Sequence, residues 1–378
     1  FLMKLFWRKN INSVLQPDLD PQSEETGVIH MDSVYCAYKG STENILASFN
    51  LMVRSGEFVT VLGKSGVGKT TILRAIAGLE RINSGYVRVG GQLASSSFVH
   101  SPPDKRRVGL VFQDYALFPH MTVFENVGFG LRTLNSNERT RRVLDILELA
   151  DIKLHANRYV NEISGGEQQR VAIARALAPN PLALLLDEPY SNLDLPLRDD
   201  LRKYVKRIVK QTGATTILVT HDGEEALAHS DRVAIMGRGS IKQIGTPQEV
   251  YRSPVSEEVA SLLGPCEFVP GVVNGKTVET EIGVFKLSPD TIFKNGTRVN
   301  TLIRPSKLGI VPLNSNVDLG HEVEFKEYHG EFTEYGVKLK SELVIRVRLP
   351  IGGEDINVGQ LVKFNEFKET VICYESKT

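Results

Sequence analysis

The sequence predicts an α/β fold with a mostly parallel sheet, followed by a small all-β domain. Three observations carry this. The apolar run Phe58-Val59-Thr60-Val61-Leu62 leads into Gly63-Lys64-Ser65-Gly66-Val67-Gly68-Lys69-Thr70, and Thr71-Ile72-Leu73-Arg74-Ala75-Ile76-Ala77 then reads as a helix. Leu182-Ala183-Leu184-Leu185-Leu186 is apolar throughout, as a strand covered on both faces is. Beyond about Pro254–Pro265 the pattern changes to short alternating segments with turn residues between them.

At 378 residues the chain has room for two domains. Lysine plus arginine equals aspartate plus glutamate at 45 each, which argues against a general nucleic-acid binder. No segment reaches the roughly 18 apolar residues of a membrane span, so the chain is not itself a channel. The start, Phe1 to Arg8, lacks a sustained apolar region and a small-residue cleavage site. Residues 1–26 are polar and Pro-containing and read as an extension. Cys36, Cys266 and Cys373 lie far apart without metal spacing and read as free thiols in a reducing cytoplasm.

In order along the chain, Val28–Tyr35 and Leu46–Val53 read as half-buried strands. Tyr38 lies between them, an aromatic that either packs in a turn or stacks on a base. After the first helix, Ser84–Gly91 is a short strand and 94–104 a loop by composition. Val108–Phe112 is a buried strand ending at Gln113, a position where open α/β sheets bind ligands. Residues 114–161 turn helical, with Asn135 and Glu138 spaced as a capping box. Tyr115–Met121 is apolar-rich, suited to core packing or to a partner helix. Ser164 and two glycines open a helix from about Val171. Thr215–Thr220 reads as another buried strand, and Val233–Met236 with Ser240–Ile244 as a closing hairpin.

The chemistry follows from residue type. Gly63, Gly66 and Gly68 let successive N–H groups point inward as an anion nest, with Lys64, Ser65 and Val67 between them. The helix starting near Lys69 aims its dipole at the same anion. Lys69 is placed to reach β- and γ-phosphates, and the Thr70 hydroxyl to ligate Mg²⁺. Asp187 is placed to hold Mg²⁺ through water and Glu188 to polarise the attacking water. Gln113 reads as a contact of Mg²⁺ or of that water, and His221, at a strand end, as a γ-phosphate partner. Ser164, Gly165, Gly166, Glu167 and Gln168 form a second anion-ready helix start. One phosphate site rarely needs two such starts from one chain, so a second subunit is expected.

This ordered set resembles the ATP-binding-cassette ATPases. The phosphate loop (63–70, continuing into Thr71), Gln113, the signature Ser164–Gln168, the acidic strand 182–188, the turn Ser191–Asp194 and His221 match in sequence order. The usual Leu-Ser-Gly-Gly-Gln appears as Ile163-Ser164-Gly165-Gly166-Glu167. The resemblance covers about residues 27–262 and implies a P-loop NTPase cassette with a parallel core, an antiparallel β subdomain and a helical subdomain. It implies ATP and Mg²⁺ as ligands, adenine stacking by Tyr38, catalysis by Glu188 and γ-phosphate sensing by His221. It implies a nucleotide-sandwich homodimer in which Asp194 and Ser164–Gln168 face the other copy's nucleotide. Residues 263–378 look like the transport-associated OB-type domain of importer ATPases, through Thr301–Pro305 and Gly359–Phe364. The implied partners are membrane permease subunits and, indirectly, a solute-binding protein. The implied location is the cytoplasmic face of the plasma membrane. Pro102–Gly109 and Val111–His120 look most like ferric-iron-type importers, and polyamine, sulfate and sugar groups share much of these stretches. The competing class is a non-transport cassette ATPase acting on nucleic acid or ribosomes. Zero net charge and the lack of aromatic–basic interleaving in the C-terminal region argue against it.

Overall fold

A computed structural model describes residues 28–376, apart from 39, 41–42, 192–193, 290–291, 314–319, 353–354 and 368. The expected extension 1–26 and residues 192–193 of the 191–194 turn lie outside the described residues. The chain divides into two compact units, Phe1–Val250 and Tyr251–Thr378. No described helix is long and apolar enough to cross a membrane.

The first unit begins with β1 (Ile29–Cys36), β2 (Leu46–Val53), β3 (Phe58–Leu62), α1 (Lys69–Ala77), β4 (Ser84–Val89), β5 (Gln92–Ser95) and β6 (Val108–Val111). Helices α2 (Val123–Gly128), α3 (Ser136–Leu149) and α4 (Gly165–Leu177) follow. Then come β7 (Ala183–Asp187), α5 (Leu195–Thr212), β8 (Thr215–Thr220), α6 (Gly223–His229), β9 (Arg232–Met236) and β10 (Ile241–Gly245). The central sheet has the order β10-β9-β3-β8-β7-β6. It is parallel except for the β9–β10 hairpin. The order β2-β1-β4-β5 makes a separate antiparallel sheet.

The unbroken apolar run of β7 is explained by its two faces. Leu184 and Leu186 enter one core with α2, α3, α4 and α5, whereas Ala183 and Leu185 enter the other with α1 and the antiparallel sheet. Leu218 of β8 likewise faces the helical core, and Ile217 and Val219 the opposite one. A strand covered on both sides has no polar face to alternate with.

Two stretches differ from expectation. The presumed loop at 94–104 contains the end of β5, a bridge from Ser95 to His100 and a 3-10 turn at Pro103–Lys105. The presumed helical run 114–161 forms α-helix only at α2 and α3, with Pro119 before α2, Gly130 between the two and 3-10 turns at Lys153–His155 and Val160–Glu162 after them. The Asn135 side chain accepts from Glu138 N at 2.9 Å and caps α3.

In the second unit, α8 (Glu257–Leu262) follows a short α7 (Pro247–Arg252) that spans the division. The expected boundary after residue 262 falls inside this unit. The reason is local: Asn300 donates to Glu257 at 2.8 Å, and the buried Arg304 donates to the carbonyls of Ala260, Gly264 and Pro265. Strands β11 (Glu267–Asn274), β12 (Thr277–Thr280), β13 (Gly283–Leu287), β14 (Arg298–Ile303) and β20 (Thr370–Glu375) close an OB-like barrel in the order β11-β12-β13-β20-β14. A second sheet has the order β15-β19-β16-β17-β18, made of Ile310–Pro312, Leu361–Phe364, His321–Tyr328, Phe332–Lys338 and Val344–Pro350. Its alternating strands feed one shared apolar cluster.

Candidate functional site

The parallel sheet delivers Gly63 after β3, Asp187 at the end of β7 and His221 after β8 to one edge, the carboxyl ends where open α/β sheets collect ligands. Gly68 is the N-cap of α1 at φ 106°, and a Cβ there would meet Ile45 at 2.9 Å, so only glycine fits. No side chain caps α1, which keeps its first-turn N–H groups for a ligand. Lys64, Ser65 and Gly66 are exposed at the loop tip, while Val67 packs against the core beneath.

Lys69 is buried. Its Nζ donates to the carbonyls of Gly63 at 2.9 Å and Lys64 at 3.0 Å, and lies 3.6 Å from Glu188. Burial draws its pKa below the usual lysine value, with Glu188 and Asp187 opposing. The Thr70 hydroxyl donates to Asp187 Oδ1 at 3.1 Å. Burial pushes the Asp187 carboxyl up, and the Thr70 bond works against it. The second oxygen of Glu188 lies 3.0 Å from His221 Nδ1. Glu188 has φ 42°, a left-handed conformation that costs a non-glycine residue about 1 kcal/mol. Strain of this kind gathers at functional positions.

Gln113 follows β6, and its amide donates to Ser191 Oγ at 3.2 Å. The Ser191 hydroxyl donates to the Glu188 carbonyl at 3.0 Å. Ser191 therefore links the glutamine to the strained turn, a role that sequence reading missed because a serine in a turn carries no signal by itself. A cleft of about 50 Å³ opens beside Glu188, Ser191, Thr220 and His221, with room for a few waters.

A second layer was also missed. Arg202 of α5 donates to Glu225 at 3.0 Å and to Asp222 at 3.1 Å, and the Thr220 hydroxyl donates to Glu225 at 2.6 Å. This network anchors the segment carrying His221 to α5. Asp222 before a helix was readable as a cap; Arg202, in a distant exposed-looking helix, was not.

Tyr38 is 46% exposed, and its hydroxyl shares a 3.2 Å hydrogen bond with Thr71 Oγ1 at the start of α1. Asp194 is the N-cap residue of α5, without a side-chain cap bond. Ser164 caps α4 with a reciprocal box to Glu167. Gly165 is exposed, and Gly166 is buried where a Cβ would meet Leu197 at 2.6 Å. The Gln168 amide donates inward, to the carbonyls of Val160 and Ile163. The two anion-ready helix starts belong to different cores, α4 with the helical side and α1 with the antiparallel side. In the 115–123 stretch, Tyr115 and Leu117 pack against the core. Arg175 holds the carbonyls of Tyr115 and Ala116, and buried Asn126 ties Phe118, Met121 and Thr122 together.

Residues 46–191 match the family model described as ABC transporter. The chain is 44% identical over 295 residues to the spermidine/putrescine import ATP-binding protein PotA of Nitratidesulfovibrio vulgaris, covering 75% of this chain and 79% of that relative. This chain belongs to the ABC transporter ATPases. The protein of the same name from Pseudomonas fluorescens is 41% identical over 331 residues, 84% of this chain and 88% of its own. Among solved structures, the cassette MJ0796, a dimer in a post-hydrolysis state with ADP and phosphate, matches at TM-score 0.51 and 33% identity. That match covers 58% of this chain and 98% of the cassette. The cbiO1 protein of Clostridium perfringens, part of the cbiONQ transporter complex, matches at TM-score 0.56 and 28% identity, over 62% of this chain and 94% of its own.

The ABC ATPase reading is thus of importer type, with ATP hydrolysis coupled to import. The ferric-iron likeness of Pro102–Gly109 and Val111–His120 finds no support among these relatives. Those stretches form the 3-10 turn Pro103–Lys105, β6 and the segment around Gln113.

Proposed function

We propose that this chain is the ATPase subunit of a polyamine importer. It would act as a homodimer that encloses ATP between copies, peripheral to the cytoplasmic face of the membrane. The observation that carries the catalytic part is the convergence on Glu188 of Lys69 from α1 and His221 from β8. The relatives support the solute, since they are spermidine/putrescine import proteins.

Lys69 leaves the loop carbonyls to bind β- and γ-phosphate oxygens, with Gly63–Thr71 wrapping the phosphates through backbone N–H groups. Tyr38, tied to Thr71, offers its exposed ring to the adenine. Thr70, Asp187 and Gln113 present only oxygen donors to a cation, a set suited to Mg²⁺. When bound, that ion neutralises charge on the phosphates. Glu188 accepts a proton from water at the cleft beside Ser191, and His221 holds the carboxylate and then the γ-phosphate. Ser164, Gly165, Gly166, Glu167, Gln168 and Asp194 face the nucleotide of the second copy. Permease subunits, fed by a solute-binding protein, dock near Tyr115–Val123, a loop held firm by Asn126 and Arg175.

The test is uptake in cells lacking this chain. Loss of spermidine and putrescine uptake with unchanged ferric-iron uptake is the expected result. Intact polyamine uptake would reassign the solute.

A further inference from the structure

The signature stretch carries an anion, Glu167, where the family usually has a neutral glutamine. Its Oε2 accepts from the Ser164 N–H at 2.7 Å and from the Ser164 hydroxyl at 2.8 Å. Its Oε1 lies 2.9 Å from Nε2 of His155, which stands in the 3-10 turn Lys153–His155. The capping box at α2 likewise uses the single oxygen Oε2 of Glu125 for both bonds to Thr122; the contact from His155 to the other oxygen sets α4 apart. At α4 both oxygens are engaged, and a side chain from another element fixes the carboxylate. The Ser164 N–H holds the Glu167 carboxyl below the usual range, against burial and with help from the Ser164 hydroxyl, His155 and Arg158. The first turn of α4 therefore already carries a negative charge, and the Ser164 hydroxyl proton is directed to it.

We propose that Glu167 is an internal anion that competes with a partner copy's terminal phosphate for Ser164, and that His155 is the residue positioning it there. This rests on the reading that Ser164–Gln168 faces the nucleotide of the second copy. The arriving phosphate is a polyanion and needs the same helix start and the same hydroxyl. The carboxylate must release Ser164 before the dimer closes. The ATP concentration that drives association is thereby set higher than a neutral glutamine would set it.

The test uses the full chain in the Glu188→Gln background, with ATP titrated and association followed by sedimentation velocity. Glu167→Gln keeps the size of the side chain and an acceptor oxygen for Ser164. It should lower the ATP needed for half-maximal dimer about two- to fivefold, the range of an exposed charge contact. His155→Ala should shift it less, in the same direction, and should add nothing in the Glu167→Gln protein. Raising the salt concentration should narrow the gap between parent and Glu167→Gln, because only the parent carries the repulsion to be screened. Equal or higher ATP requirement in a folded Glu167→Gln protein overturns the proposal alone. If that variant does not fold, His155→Ala decides by the same criterion. Failure of every protein to dimerise at saturating ATP overturns the two-copy reading, and the proposal with it.

Discussion

Glu188 is held between a cation, an imidazole and its own strained backbone, and each contact predicts a separable effect. Glu188→Gln keeps the shape that binds nucleotide and removes the proton acceptor. ATP binding should persist while steady-state hydrolysis falls about 10²- to 10⁴-fold, read by phosphate release. Normal turnover would take Glu188 out of the catalytic role. Lys69→Ala removes charge-assisted phosphate contacts worth about 1.5–3 kcal/mol each, so nucleotide affinity should fall by about tenfold or more in a binding titration. Ser191→Ala should lower kcat with little change in nucleotide affinity, since Ser191 touches the Glu188 carbonyl and Gln113 rather than the loop at 63–70. The phosphate loop, the acidic strand end and His221 were legible because each is a run of fixed residue types beside a strand. Ser191 and Arg202 were not, because their roles exist only once separate segments meet.

Three helix starts of the first unit, those of α2, α4 and α7, share one device. Glu125 and Glu167 each accept from the backbone N–H of their own N-cap residue, and Glu249 does the same with Thr246 before α7. Those backbone bonds are the main reason that all three carboxyls lie below the ordinary glutamate value of 4.5. A depressed carboxyl stabilises the fold above its unfolded pKa and loses that contribution as pH falls through the folded value. Helix content should therefore decline in acid at pH below 4.5, and Glu125→Gln with Glu249→Gln should flatten that part of the circular-dichroism titration. A decline unaltered by both changes would separate acid sensitivity from these caps. Gly166→Val tests packing instead: its Cβ would meet Leu197 at 2.6 Å, so about 1–3 kcal/mol of stability should be lost on denaturant unfolding. The strands of the central sheet were legible from their apolar runs because both faces are covered. The helical stretch was less so, since periodicity alone did not mark the breaks at Pro119 and Gly130. Strand β15, Ile310–Pro312, is only three residues long, too short to carry a period.

At the scale of the whole molecule, the two helices whose starts are anion-ready, α1 and α4, pack into different cores. In the proposed dimer the second start serves the nucleotide of the other copy. The C-terminal unit was legible as all-β from its alternation. Its inner edge was not, because α8 reads as a continuation of the cassette until Asn300 and Arg304 are seen to bond to it. Arg304→Met should leave the carbonyls of Ala260, Gly264 and Pro265 short of a donor and destabilise the C-terminal unit by about 1–3 kcal/mol, seen as earlier loss of its own unfolding transition. ATP binding, which needs only the first unit, should be retained. The central claim is that two copies share two nucleotides. The most direct measurement is the molecular mass and nucleotide content of the Glu188→Gln protein in ATP and Mg²⁺, by sedimentation with quantified bound ATP. The account predicts a dimer that retains one ATP per chain and falls apart when nucleotide is removed. A protein that binds ATP yet stays monomeric, alone and with its membrane partners, would contradict it.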